Sequence, residues 1–282
     1  MNIAHRYSGG VAGLATHHGK GPLVAPAFRE VLGMRVVEID VDTDMLGTFS
    51  GEVPRAGSQY ETAIAKARMG MGVSGLPWGL ASEGSFGAHP VVPFVTVDAE
   101  LVVFVDDDLG IVVAETELAT DVPTLAIDVE PDEWNVSGFA GGGFPEHGMI
   151  VRPTGAHRPV VKGIHDLGTL AAAVAQCAAA GVSSTVRIES DLRAHHHPGR
   201  REVIARAARR LAGRLATCCP RCSAPGYGTV RVEPGAPCSV CGEPTPIASR
   251  EHLGCASCDF QQVRDVAASS GADPSVCPAC NP

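Results

Sequence analysis

The stretch "LATHHGKGP", Leu14 to Pro22, governs how the rest of the chain is read. It leaves an apolar run with the pattern of a buried strand, places two histidines, a glycine and a lysine in a turn, and then opens a helix. A glycine lets the backbone approach an anion, and a helix N-terminus presents free N–H groups at the positive end of its dipole. The turn therefore fits a phosphate site. It also fits an ordinary polar connection between strand and helix. The sequence on either side has to decide.

Working outward, "VAGLAT" reads as a strand, "APAFREVLG" as a helix that stops at Gly33, and "MRVVEI" as the next strand. A polar loop, "DVDTDMLGTFSGEVPRAGS", leads into "YETAIAKARMGMGVSG". There Ala63, Ala67 and Met71 recur at helical spacing, Ile64 and Met69 widen the stripe, and Gly75 is the stop. The β-branched runs "VVPFVTV", "ELVVFV" and "GIVVAETEL" predict an antiparallel meander. "GMIVRP" and "STVRIES" are further strands. "LGTLAAAVAQCAAAG" is a helix in which Cys177 acts as a small buried hydrophobe. The long helix "GRREVIARAARRLAGRLA" closes the large domain near residue 216. The expectation is an α/β domain with a mixed sheet over residues 1–216, followed by a small zinc-ribbon-like module over 217–282.

The composition suits this plan. Of 282 residues, 45% are hydrophobic and only 5% aromatic, so the core is built from Val, Leu, Ile and Ala. There is no run of about 18 apolar residues and no signal-peptide pattern at the start. A soluble, cytoplasmic protein without membrane association is expected. A net charge of −9 argues against wholesale coating of nucleic acid.

Cysteine usage is lopsided. Cys177 stands apart, and the other nine of ten lie between Cys218 and Cys280. Eight form four C-x-x-C pairs: Cys219 and Cys222, Cys238 and Cys241, Cys255 and Cys258, Cys277 and Cys280. Each such turn presents two thiolates to one ion, so eight thiolates make two closed tetrahedral zinc sites. The module has few large apolar residues beyond Leu253 and Phe260, so metal supplies most of its folding free energy. Two pairings fit the spacings. "CSVCGEPTPIASREHLGCASC" resembles one zinc ribbon by itself, which leaves the first and last pairs for the second ion; sequential pairing is the other. Cys218 is a spare thiol. Zinc closed by four thiolates has no open position for water, so the module is structural or recognises a partner.

In "ETAIAKARMGMGVSGLPWGLASEGSFG", Glu61 and Lys66 fall in a helix, and Glu83 falls just after a strand. Carboxylates beside a lysine turn suit Mg²⁺ shared with a polyphosphate. Plainer readings exist for each residue. Glu61 can serve the helix dipole, Lys66 can be solvated, and Asp42 and Asp44 can cap the loop.

This order of residues resembles the inosine/xanthosine triphosphate pyrophosphatase superfamily, whose members cut nucleoside triphosphates to a monophosphate and pyrophosphate. Its Thr-Asn-Lys turn looks like Thr16, His17 and Lys20. Its Glu-Asn-Ala-x-x-Lys-Ala helix is matched by Glu61, Thr62, Ala63, Lys66 and Ala67. Its Gly-Leu-Pro strand and Asp-Asp-Ser-Gly loop are similar to Gly75, Leu76, Pro77 and then Ser82, Glu83, Gly84 and Ser85. "GFPEHGMIVRPTG" looks like its base-pocket segment. His17 stands where that superfamily has Asn, Ser82 where it has an acid, and His147 where it has Asp. Its closing Ser-His-Arg has no clean equivalent, although "DLRAHHHPGR" offers His195, His197 and Arg200. The resemblance implies Mg²⁺-dependent hydrolysis of a nucleoside triphosphate or related phosphorylated compound. Lys20, Glu83 and Glu52 would be catalytic, the two acids as Mg²⁺ ligands. Thr16, His17, His18, Gly19 and Lys66 would bind phosphate, and His147, Arg193, His197 and Arg200 would line the substrate pocket. The whole chain also resembles an uncharacterised bacterial family with the same Thr-x-His-Gly-Lys turn, a Ser-Glu-Gly-Ser-Phe-Gly segment and a cysteine-rich tail ending in Cys-Asn-Pro.

In the last long helix Arg206, Arg210 and Arg214 fall four apart, with Arg209 beside them. Such a stripe is either a solvated face or, with the zinc module, a nucleic-acid surface. The rival functional reading is therefore a non-catalytic nucleotide- or RNA-binding protein. The zinc module could also serve dimerisation or partner docking.

Overall fold

The apolar run before the histidine turn forms β1 (Val11–Ala15), with four of its five residues buried. The chain returns through α1 (Gly21–Leu32) to β2 (Arg35–Ile39), which lies parallel to β1. α1 ends at Gly33 with φ 65°, a left-handed conformation that glycine adopts without a Cβ penalty. The computed structural model describes residues 5–48, 53–55, 57–89, 95–132, 135, 139, 141–155, 161–179, 185–266 and 270–282. Glu52, expected to bind Mg²⁺, lies outside them.

α2 (Gln59–Ser74) opens with a capping box: the Ser58 side chain accepts from the Glu61 N–H, and the Glu61 carboxylate accepts from the Ser58 N–H. Glu61 is thereby accounted for as a helix cap. After Gly75 the chain runs into the meander β3 (Trp78–Ala88), β4 (Thr96–Asp106) and β5 (Ile111–Ala119). β3 also pairs parallel with β1, which gives a mixed five-stranded sheet of order β2-β1-β3-β4-β5.

Alternation along β4 builds the layers. Val102 and Phe104 face one way, into a core with α1 and the long α4 (Pro198–Ala216). Leu101, Val103 and Val105 face the other way, onto Ala63 and Ala67 of α2.

A second, four-stranded antiparallel sheet follows. Its elements are β6 (Ala126–Val129), β7 (Met149–Pro153), β8 (Val161–Ile164), α3 (Leu167–Ala179) and β9 (Val186–Ser190), in strand order β6-β9-β7-β8. It has its own core, including Phe139, Met149, Leu170, Val174, Ile188 and the buried Cys177. β6 and β8 carry no sequence signal, because "AIDV" and "VKGI" are too short to show a period. The third sheet, β10 (Gly228–Pro234), β11 (Ala248–Gly254) and β12 (Gln261–Asp265), is an antiparallel meander within the cysteine-rich module. Among the described residues no helix is long and apolar enough to cross a membrane.

Candidate functional site

β1 stops at Ala15, whereas β3 continues to Ala88, and the two pair only at Gly13 with Gly79 and Leu14 with Leu80. Past Leu80 the β1 side of β3 opens onto a cavity of about 370 Å³, at the C-terminal ends of parallel strands, where α/β sheets characteristically form crevices. Thr16, His17, His18 and Lys20 line it from the turn, Lys66 from α2, Ser82 and Glu83 from β3, and Arg200 from α4. Among the described residues, Arg55, Lys162 and Arg193 complete its cations, and Asp44 is its other carboxylate. Residues nearly two hundred positions apart in sequence thus share one wall.

The turn works through side chains. The Gly21 N–H donates to Glu38 Oε1 at 2.5 Å, Pro22 has no N–H, and the N–H groups of Leu23 and Val24 bond to the Lys20 carbonyl. The N-terminus of α1 is therefore already satisfied, and the anion site expected there is filled by Glu38. Gly19 does not line the cavity; at φ 61° it serves the turn. Thr16 Oγ1 accepts from the His18 N–H at 3.2 Å, which tightens the same turn. Lys20 reaches across to β3, with Nζ 2.9 Å from Ser82 Oγ and 3.1 Å from the Ser82 carbonyl. Burial, then the neighbouring Arg200, pulls the Lys20 pKa down to about 8.

Lys66 is buried and pairs with Glu83, so it is not a solvated helix residue. Arg55 also reaches Glu83, at 3.4 Å, and donates to the Gly84 carbonyl at 2.7 Å. Arg193 is held by Asp191, and Arg200 by Glu100 at 2.5 Å. Asp44 lies 3.6 Å from His18, whose pKa burial lowers against the upward pull of Asp44. His17 sits at the rim against Asp40, 3.2 Å away.

Of the two carboxylates expected to take Mg²⁺, Glu52 lies outside the described residues and Glu83 lines the cavity. Glu83 is committed to two cations, and among the described residues the four-cysteine clusters are the groups with metal-ligand geometry. His147 and His197 also differ from expectation. Their rings pack together at 4.3 Å, and neither lines the cavity. His197 is fully buried, donates from Nε2 to the Pro123 carbonyl at 2.9 Å, and accepts the Arg200 N–H at Nδ1, so it caps α4. Burial, then His147, lowers its pKa to about 4, which keeps the ring neutral for both bonds.

The eight clustered cysteines form two groups, Cys219, Cys222, Cys255 and Cys258, and Cys238, Cys241, Cys277 and Cys280, all sulfurs within 4.8 Å of one another in each. Sulfur pairs lie at 3.6 and 3.9 Å in both. A zinc–sulfur bond of about 2.3 Å in a tetrahedron gives an edge of about 3.8 Å, so both groups fit zinc and neither fits a disulfide. The pairing interleaves: first knuckle with third, second with fourth. The meander explains it, because β10 carries the chain from the first end to the second and β11 brings it back. Spacing alone favoured the two simpler pairings. Cys218 is exposed and belongs to neither group.

A family model described as a domain of unknown function, DUF6671, matches residues 66–282. The chain belongs to that family. No curated protein matches it. The DUF6671 span begins at Lys66 and carries Ser82, Glu83, Arg200 and all eight clustered cysteines, while the Lys20 turn precedes it.

The α4 arginines are locally balanced. Arg206 lies 3.2 Å from Glu117, Arg209 3.0 Å from Glu30, Arg210 3.3 Å and Arg214 3.0 Å from Glu115. Arg55, Lys162, Asp98 and Glu100 escaped the sequence reading. Asp98 and Glu100 did leave a signal, two acids at alternate positions of an otherwise apolar strand, "VTVDAELVVFV".

Proposed function

We propose that the cavity binds a phosphorylated compound and that the protein hydrolyses a nucleoside triphosphate or a related phosphate ester. One observation carries this reading: among the described residues, Lys20, Arg55, Lys66, Lys162, Arg193 and Arg200 line a cavity together with two carboxylates, Asp44 and Glu83. Transfer at phosphorus depends mainly on holding the phosphates and balancing the charge that develops on them. Lys20 and Arg200 converge from opposite elements, and Lys66 and Arg55 fix Glu83 between them. The resemblance to the inosine/xanthosine triphosphate pyrophosphatases supports a nucleotide, with Thr16, Lys20, Lys66 and Glu83 in matching order.

Mg²⁺ would enter as the counter-ion of the phosphates, since the described carboxylates are already paired. The two cysteine clusters would hold structural zinc ions that fold the C-terminal module. The neutralised α4 stripe favours the cavity over that helix as the ligand site.

The test is release of phosphate and pyrophosphate from a panel of nucleoside triphosphates, inosine and xanthosine forms included, with Mg²⁺ present. Native protein should turn over at least one of them, and Lys20→Ala and Glu83→Gln should abolish turnover. If no substrate is cleaved although nucleotide raises the melting temperature, the cavity is a non-catalytic nucleotide site.

A further inference from the structure

We infer that Ser82 is a nucleophile and Lys20 its general base, so that phosphoryl transfer in this cavity passes through a phosphoseryl intermediate. The inference rests on the reading of the cavity as a phosphate site. Its basis is geometric. Lys20 Nζ lies 2.9 Å from Ser82 Oγ and is anchored a second time, at 3.1 Å, on the carbonyl of the same residue. Ser82 sits in the middle of β3, a strand paired along its length with β4, so the backbone beneath the hydroxyl is fixed. Its side chain is buried from bulk solvent yet lines the cavity.

A serine hydroxyl is a weak nucleophile until a neighbouring base takes its proton, and a lysine can be that base when it is partly neutral. The groups facing Lys20 come from four elements: Arg200 from α4, Glu100 from β4, Glu83 from β3 and Lys66 from α2. Burial and the two cations outweigh the two acids, which leaves about one tenth of Lys20 neutral at pH 7.

The step balances. Ser82 Oγ attacks phosphorus, the Oγ–P bond forms and the bond from phosphorus to the leaving oxygen breaks. The Oγ proton passes to Lys20 Nζ and from there to the leaving oxygen. Water then attacks the phosphoserine, gives a proton to Lys20, and the P–Oγ bond breaks as that proton returns to Ser82. Arg55 and Arg200 line the same cavity.

The experiment treats the full-length, zinc-loaded protein with an alkyl fluorophosphonate, which transfers its phosphorus to an activated serine with loss of fluoride. Adduct position and rate are read by peptide mass spectrometry. One adduct on Ser82 is expected, absent in Ser82→Ala. Lys20→Arg keeps the charge but cannot accept the proton, and should slow labelling about a hundredfold. No adduct on Ser82 of the native chain, or an equal rate in Lys20→Arg, would overturn the inference. Inorganic triphosphate should protect Ser82. Labelling that depends on Lys20 but is not protected would uphold the nucleophile and remove the phosphate reading, so the two fail separately.

Discussion

Arg200 on α4 and Glu100 on β4 form an ion pair inside the protein, Nε to Oε1 2.5 Å, with side chains 1% and 0% exposed. Gly84 on β3 makes room for it, since a Cβ there would lie 2.2 Å from Arg200 Nη2 and 2.7 Å from Glu100 Oε1. Asp98, two residues before Glu100, is raised to a pKa of about 8 by burial and then by the charge of Glu100, so it is largely protonated at neutral pH. Replacing Glu100 by Gln leaves the guanidinium buried without its counter-charge, at a cost of about 3–5 kcal/mol. Asp98→Asn replaces a neutral acid with a neutral amide and should cost much less. Urea unfolding of the two variants checks the order.

His197 gives a pH dependence of definite sign. Its pKa falls from an ordinary 6.5 to about 4 in the folded state, so the unfolded chain binds more protons between those values. The stability that its neutral ring contributes is present above pH 6.5 and is lost as pH falls toward 4. In His197→Asn, which retains a capping side chain, the melting temperature should fall less steeply across that window. Melting curves at half-unit pH intervals measure it.

Lys20 acts in the opposite direction on ligand. Anion binding should weaken as pH rises through about 8, where the ammonium loses its proton. The ligand-free protein should gain stability from this group between about pH 8 and about 10.4, as the cost of a buried charge is relieved. Titration of inorganic triphosphate at pH 7 and pH 9 reads the first effect. In Lys20→Met the extra weakening through pH 8 should vanish.

The interleaved cysteine clusters predict which substitutions act together. Native protein should carry two zinc ions by native mass spectrometry. Cys219→Ser and Cys255→Ser should each release the same ion, and Cys238→Ser and Cys277→Ser the other, whereas Cys218→Ser should keep both. Strong chelation should unfold the C-terminal module, because its sheet exposes Val230, Val232 and Val263 and has little apolar core to stand on.

The elements that the sequence revealed are those with a long period or a clear punctuation mark. α1 ends at Gly33, α2 ends at Gly75, and β4 and β5 follow the β-branched runs "ELVVFV" and "GIVVAETEL", whereas β3 has no β-branched residue and runs on through Glu83, which the sequence placed just after a strand. The eight cysteines were equally plain, since C-x-x-C is a local geometry. Their pairing was not, because it depends on how a three-stranded meander shuttles the chain between its ends. Lys20, Lys66, Glu83 and Arg200 could be named individually, but not the partners that hold them. Burial turned Lys66 from a solvated candidate into an ion-paired one, with Glu83 as its partner. His197 looked like a pocket residue because it lies in a histidine run, and its buried capping role is set by α4 and Pro123, far apart in sequence.

The most direct measurement is calorimetric titration of a nucleoside triphosphate, with Mg²⁺, into native protein and into Lys20→Ala and Lys66→Met. The cavity reading predicts saturable binding at one site in the native chain, at least tenfold weaker in Lys20→Ala. Lys66→Met should weaken it as well, because Glu83 is left without its closest cation. Binding that is absent from the native chain, or unchanged in Lys20→Ala, would contradict the account.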